Sequence, residues 1–363
     1  MARETAEIDR AGPALLFAIG CAAWAAKAGL THALQKALSP DSAATHGDFT
    51  MTVQDFGRGR GLALACGIAA TLLGLVYLGV AGAPHRMLTM NLAALAAGLV
   101  VALPFFRHDP VQPPVAGILA VSIGGALLLT ALWGGEASGA RRWIPIAGIV
   151  LQPGLILLPL LITAVARSRD ALTALGVVIA AAALALQPDR AMAGALVAGL
   201  AAVLLFKRDR LGLFCLMVST ASFAITWLRP DVVPATPFVD RVFRTAFSTG
   251  AVAGAAVWGG AVLLLAPAAL GLIRDRDHRA IHGAFGATWL AIIIAAVVGD
   301  YPTPLVAYSG SSIVGYILAC AGLPRGRALV SSNPGDIRRS TSAKASDAKF
   351  VVAAPRSQLR ANS

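Results

Sequence analysis

Charge is what this chain has least of. Of its 363 residues only 13% are Asp, Glu, Lys or Arg, against roughly 25% in a soluble domain. Cysteine is scarce as well. Cys21, Cys66, Cys215 and Cys320 are the four present, each inside an apolar run, which excludes a disulfide framework and a cysteine metal site. The six histidines read as scattered, without metal-ligand spacing, so the sequence predicts no metal site. Gly57-Arg58-Gly59-Arg60-Gly61 lacks the Lys-Ser/Thr pair of a phosphate loop and follows no strand. What fills the chain instead is apolar: 57% hydrophobic residues, with mean hydropathy +0.73. Soluble cores stop growing near ~250–300 residues, so a chain this apolar needs lipid as its solvent.

A membrane crossing takes ~20 mostly apolar residues. Windows of that kind run over 12–30, 61–82, 88–106, 115–134, 148–166, 171–187, 191–206, 211–228, 246–273, 284–299 and 308–324. A closed barrel would need ~10-residue alternating segments, and none is found. The predicted fold is therefore all-α: a polytopic transmembrane helical bundle of ten core helices plus one N-terminal helix. The first window holds Lys27; it is either a span with that lysine reaching to the interface or a helix lying on the surface. A cleaved signal peptide is not expected there, because no basic start, short apolar stretch and small-residue cleavage site follow in order. The organisation expected is an N-terminal extension over 1–60, a transmembrane domain over 61–324 and a basic tail over 325–363.

The net charge of +12 is unevenly placed. From Arg325 to Ser363 eight Lys/Arg stand against two Asp, a net +6, in a stretch with no sustained apolar period. Such a tail is expected to be disordered and to face anionic membrane lipid; nucleic acid is not an expected partner. The compact basic links 167–170, 207–210 and 274–279 fall on one side with that tail, assigned to the cytoplasm. The other side then carries Arg86, Arg141, Arg142, Arg190, Arg229, Arg241 and Arg244, against the usual bias. Anionic lipid-linked substrate is one reason for them, and pairing with Asp189, Asp231 and Asp240 is the plainer one.

Three segments on that outer side are distinctive. Gly139-Ala140-Arg141-Arg142-Trp143-Ile144 is followed by Gln152-Pro153; Gln187-Pro188-Asp189 closes a span; and Pro302-Thr303-Pro304-Leu305-Val306-Ala307-Tyr308-Ser309-Gly310-Ser311-Ser312 opens the last one. In order and spacing they resemble the SEDS family of bacterial membrane proteins, the FtsW/RodA/SpoVE group, which shows Gly-Ala-Arg-Arg-Trp, Gln-Pro-Ser-Glu, Gln-Pro-Asp and Pro-Phe-Ile-Ser-Tyr-Gly-Gly-Ser-Ser. The early Val76-Tyr77 and His85-Arg86 resemble that family's first hairpin. The resemblance covers about residues 61–324.

What it implies is peptidoglycan glycan polymerisation in the bacterial inner membrane. Lipid II would be taken at the outer face and its disaccharide joined to another, beside a class B penicillin-binding transpeptidase. A non-catalytic protein that binds lipid II or a wall-synthesis partner is the alternative, and a lipid II transporter is a third reading. The chemistry asks for a carboxylate as general base at the attacking hydroxyl. It also asks for Arg, or a divalent cation such as Mg2+, at the departing pyrophosphate. The family's catalytic aspartate falls in register on Val239, which makes the adjacent Asp240 the candidate base and Asp231 the runner-up. Arg141, Arg142, Gln152, Asp189, Tyr308 and Ser311 are the candidate substrate-binding residues. Each has a plainer reading: an Arg-Arg-Trp anchor at the headgroups, an Asp189 helix cap, an Asp240 paired to Arg241 or Arg244. Two departures stand out. The family's Glu and its Lys three residues on are Leu155 and Leu158 here, and the long outer loop is cut to 229–245 without its Gly-rich stretch. Residues 139–143, 187–189, 229–243 and 302–312 are expected to line one wet, outward-opening cavity.

Overall fold

The structure, a computed structural model, describes residues 59–107, 113–146, 148–229 and 233–325. The 12–30 window, Asp231 and the basic tail beyond Arg325 lie outside the described residues.

Eleven helices are present among them: α1 (Gly59–Val80), α2 (His85–Arg107), α3 (Pro113–Trp133), α4 (Pro153–Arg167), α5 (Ala171–Leu186), α6 (Arg190–Phe206), α7 (Arg210–Thr226), α8 (Val242–Thr249), α9 (Ala251–Arg274), α10 (Arg279–Val298) and α11 (Gly310–Ala321). Five of them lie in segments long and apolar enough to cross a membrane, and five more, α4 to α7 and α11, are shorter apolar helices. With the short α8 set aside, these ten follow the expected windows in order. The bundle's outer surface leaves Leu205, Ile273, Val262 and Val298 largely uncovered, which only a lipid environment tolerates across so many positions. This is a helical membrane bundle.

Local chemistry places the helix ends. Three consecutive helices start on an aspartate cap: Asp170 accepts from Thr173 N, Asp189 from Met192 N, and Asp209 from Gly212 N. Pro153 starts α4, where a missing N–H costs nothing. Close helix approach rests on small residues. A Cβ at Gly315 would lie 2.1 Å from the Leu155 carbonyl oxygen, so α4 and α11 meet backbone to backbone. Phe285, Trp289 and Tyr316 stack in the centre, with centroids 5.0–6.4 Å apart. The Tyr316 hydroxyl donates to Leu264 O at 3.1 Å, tying α11 to α9. Cys66, Cys215 and Cys320 are buried free thiols, as their apolar surroundings predict.

Two features depart from the sequence reading. The 246–273 window is not one helix: Gly250, at φ 154°, separates α8 from α9. The 135–151 stretch carries a small antiparallel sheet, β1 (Gly135–Ala137), β2 (Ala140–Ile146) and β3 (Ile149–Leu151), in the order β1-β2-β3. Ser138 and Gly139, both at positive φ, form the two-residue turn between the first pair, the geometry that suits a tight hairpin.

Candidate functional site

The hairpin decides what Arg141 and Arg142 do. Successive side chains of a strand point to opposite faces, and β2 buries Arg142 while leaving Arg141 46% exposed. Arg141 donates to Glu136 Oε2 at 2.9 Å and to Leu132 O at 3.0 Å. Arg142, only 4% exposed, donates to Gln187 O at 3.2 Å and Pro188 O at 2.6 Å, with its Nε 3.9 Å from Asp189 Oδ2. The two arginines expected to act together are thus held apart, and Arg142 alone joins the Gln-Pro-Asp turn.

Asp189 is 1% exposed and does two things at once. Its Oδ1 caps α6 through Met192 N at 3.1 Å, and its Oδ2 accepts from Gln152 Nε2 at 3.5 Å. Gln152 N in turn donates to Ser311 Oγ at 2.9 Å. The sequence-distant segments at 142, 152, 187–189 and 311 therefore converge in one buried polar cluster. Ser312 closes the neighbouring turn, accepting from Leu305 N at 3.0 Å and donating within 3.0 Å to Ser309 O and Oγ.

The 302–312 segment has two more anchors. Asn91 on α2, wholly buried, donates to Ala307 O at 2.7 Å and accepts from Ser309 N at 3.3 Å. On the other flank Thr303 N donates to Val239 O and Tyr308 N to Phe238 O, each at 2.9 Å, and Asp240 bridges to Pro302. Tyr308 is thus set beside the outer loop by its backbone, with its ring packed on the core. These segments close on one another. A surface groove of about 330 Å3 lies between α9 and α10 and another of about 710 Å3 lies at the α6–α7 turn. Neither is lined by the polar cluster, and the 238–240 strip is hydrogen-bonded to 302–308 by the backbone contacts above.

Asp240 sits outside the membrane-spanning segments. Its Oδ2 accepts from Thr236 N at 2.7 Å, while Oδ1 is buried without a hydrogen-bond partner. Burial pushes its carboxyl above the usual carboxylate range; the Thr236 N–H opposes this, Asp300 adds to it and Arg241 opposes it. The expectation that Asp240 pairs with Arg241 or Arg244 is corrected. Both arginines turn to Asp300, with Arg241 Nε at 2.6 Å and Arg244 at 2.7 Å, and those contacts hold Asp300 down at about 2. Nor does any hydrogen bond or ion pair join Asp240 to Arg141 or Arg142, whose partners lie elsewhere.

The other arginines at this end of the bundle also find partners, mostly backbone carbonyls. Arg190 donates to Thr226 O and Arg229 O, lying 4.5 Å over the Trp227 ring, and Arg229 donates to Leu186 O. Asn91, Glu136 and Asp300 were missed by sequence reasoning. Their partners are remote or lie across a turn, and no local spacing marks them.

At the opposite end, His278 and His282 are less scattered than the sequence reading held. Four residues apart at the start of α10, they both contact the Asp275 carboxylate, at 2.9 and 3.3 Å. No set of three or more His, Cys, Asp or Glu side chains suited to a metal gathers among the described residues. In the outer cluster the one carboxylate, Asp189, is committed to Arg142, Gln152 and Met192 N. These residues do not fit a Mg2+ site.

No family model matches the chain, and no curated protein does. Among solved structures it is similar to the rod shape determining protein RodA of Thermus thermophilus, at 25% identity and TM-score 0.52, over 74% of this chain and 94% of that one. A variant of that protein with one aspartate replaced by alanine matches at 25% identity and TM-score 0.51, over 74% and 95%. A chain from a peptidoglycan synthase complex follows at 23% and TM-score 0.46, over 71% and 94%. The fold is SEDS-like.

Proposed function

We propose that this chain is a divergent SEDS-type peptidoglycan glycosyltransferase, polymerising lipid II at the outer face of the bacterial inner membrane with its C-terminus in the cytoplasm. The observation that carries the reading is the buried cluster of Arg142, Gln152, Asp189 and Ser311. It unites the segments whose motifs resemble the family, and it does so on a RodA-like bundle. Asp240 is the base. Its unpartnered Oδ1 is free to accept the proton of an attacking sugar hydroxyl, and a carboxyl raised by burial holds a proton more readily than a solvated one. The leaving pyrophosphate is met by outer-face arginines. Arg141 serves first, because its exposed pair with Glu136 contributes little stability and yields cheaply to a stronger anion. For substrate to reach Asp240, the 236–240 strip must part from 302–308. A class B penicillin-binding transpeptidase is the partner the motif resemblance implies.

A second reading, a lipid II-binding protein without catalysis, draws on Leu155 and Leu158, both fully buried where the family places an ion pair. Purified protein incubated with lipid II, alone and beside a class B transpeptidase, separates the two. Glycan chains lost in Asp240→Asn support the glycosyltransferase. Binding of lipid II without chains under both conditions overturns it for the second reading.

A further inference from the structure

The α6–α7 turn carries a groove unrelated to the outer cluster. It lies at the other end of the bundle, where Arg167 donates to Gly322 O at 2.9 Å and Arg169 to Asp209 at 2.8 Å. Its volume is about 710 Å3. Ala201, Leu204 and Leu205 line it from α6, at positions that share one helix face, and Leu213 and Leu216 line it from α7. Its mouth is the turn itself, with Arg208, Asp209 and Arg210.

The charges at that mouth do not cancel. Asp209 is spoken for: one oxygen caps α7 through Gly212 N at 2.6 Å and the other accepts from Arg169. Arg208 and Arg210 are exposed and make no ion pair or hydrogen bond with a described residue. Lys207 stands beside them, and Arg167 and Arg169 are near enough to depress its charged form, after burial itself. An apolar trough that opens beneath two uncompensated guanidinium groups at the end of a membrane helix pair matches one kind of molecule. It needs a hydrocarbon chain and a single anionic head at the membrane surface, where a planar donor fork suits a phosphate.

We propose that this groove binds one anionic glycerophospholipid, its acyl chain between α6 and α7 and its phosphate held by Arg208 and Arg210. A zwitterionic lipid would bring its own cation to the same two arginines and lose the advantage. The site is independent of whether the outer cluster polymerises anything.

The test uses the full-length protein in detergent, titrated with phosphatidylglycerol or phosphatidylcholine of equal chain length and read by native mass spectrometry. Three variants accompany the parent. Arg208→Gln/Arg210→Gln removes the phosphate donors. Ala201→Phe fills the trough and leaves the charge alone. Arg274→Gln/Arg276→Gln removes two cations at the same end of the bundle, away from the groove. The expected result is one tightly retained phosphatidylglycerol, weakened about tenfold in the first variant, weakened also in the second, and unchanged in the third. Equal retention of phosphatidylcholine overturns the proposal. So does equal weakening by the two arginine pairs, which would mark a diffuse surface potential, and so does indifference to Ala201→Phe.

Discussion

Asn91 on α2 and Ala307 in the loop before α11 stand 216 residues apart, joined by a 2.7 Å hydrogen bond from the Asn91 side chain. The same side chain accepts from Ser309 N, so one buried amide satisfies two backbone groups of a buried segment that runs without regular structure. Buried irregular backbone survives only when its polar groups find partners.

Asn91→Ala should therefore cost about 2–6 kcal/mol, since it strands two buried backbone groups at roughly 1–3 kcal/mol each. The variant should melt earlier in detergent and show faster amide exchange over 303–309. An unchanged exchange pattern there would mean that Ser312 and the 238–239 strip hold the segment without it.

The Arg142–Asp189 pair predicts a coupled response. Arg142→Met leaves a buried carboxylate without its cation and should cost about 3–5 kcal/mol. Asp189→Asn keeps a side chain able to cap α6 and to meet Gln152. Combined with Asp189→Asn, the loss from Arg142→Met should shrink by about 1–3 kcal/mol, the coupling expected of two groups in one network. Strict additivity in thermal unfolding would show that Arg142 acts only through the Gln187 and Pro188 carbonyls.

Asp240 sets a pH dependence with a definite sign. Its carboxyl is raised in the folded protein, so folding favours the protonated form. That stabilisation is present below the ordinary carboxylate range and is lost as pH rises through the raised value. Asp240→Asn should flatten this slope without lowering stability at neutral pH. Polymerisation should run the other way in the parent, rising with pH through the same window, and fall ~10²–10⁴-fold in the variant. A parent whose activity is flat across weakly acidic pH would remove Asp240 as the base.

How far the sequence could be read follows from the same residues. The ten apolar helices were legible because each is a long run with an Asp, Gly or Pro at its border, as at Asp170, Asp189 and Asp209. Gly250 reads in sequence as a packing glycine of one span, because the apolar run continues past it, and only its backbone angle separates α8 from α9. The Ser138-Gly139 hairpin was hidden by its brevity. Without it, Arg141 and Arg142 read as one cluster instead of two opposite faces. Asp300 was not foreseen as the partner of Arg241 and Arg244. Arg241 stands in a left-handed conformation at φ 62°, and both arginines reach Asp300. A reversal of that kind leaves no periodicity to read.

Leu155 and Leu158 yield the last expectation. Both are fully buried on α4, and the Leu155 carbonyl lies against Gly315 of α11, so an ion placed there is cut off from solvent. Leu155→Glu alone should bury an uncompensated carboxylate and cost several kcal/mol, as should Leu158→Lys alone with its ammonium. The double variant places opposite charges three residues apart on one helix face, the register the resembled family uses. It should recover a large part of the combined loss, measured as detergent thermal stability and as folded yield. The packing around α4 would then be a SEDS scaffold in which the pair has been exchanged for leucines, since losing both charges together leaves none stranded. If the double variant is as damaged as the sum of the singles, the α4–α11 contact has closed around the leucines. The departure would then reach the helix packing as well as the two side chains.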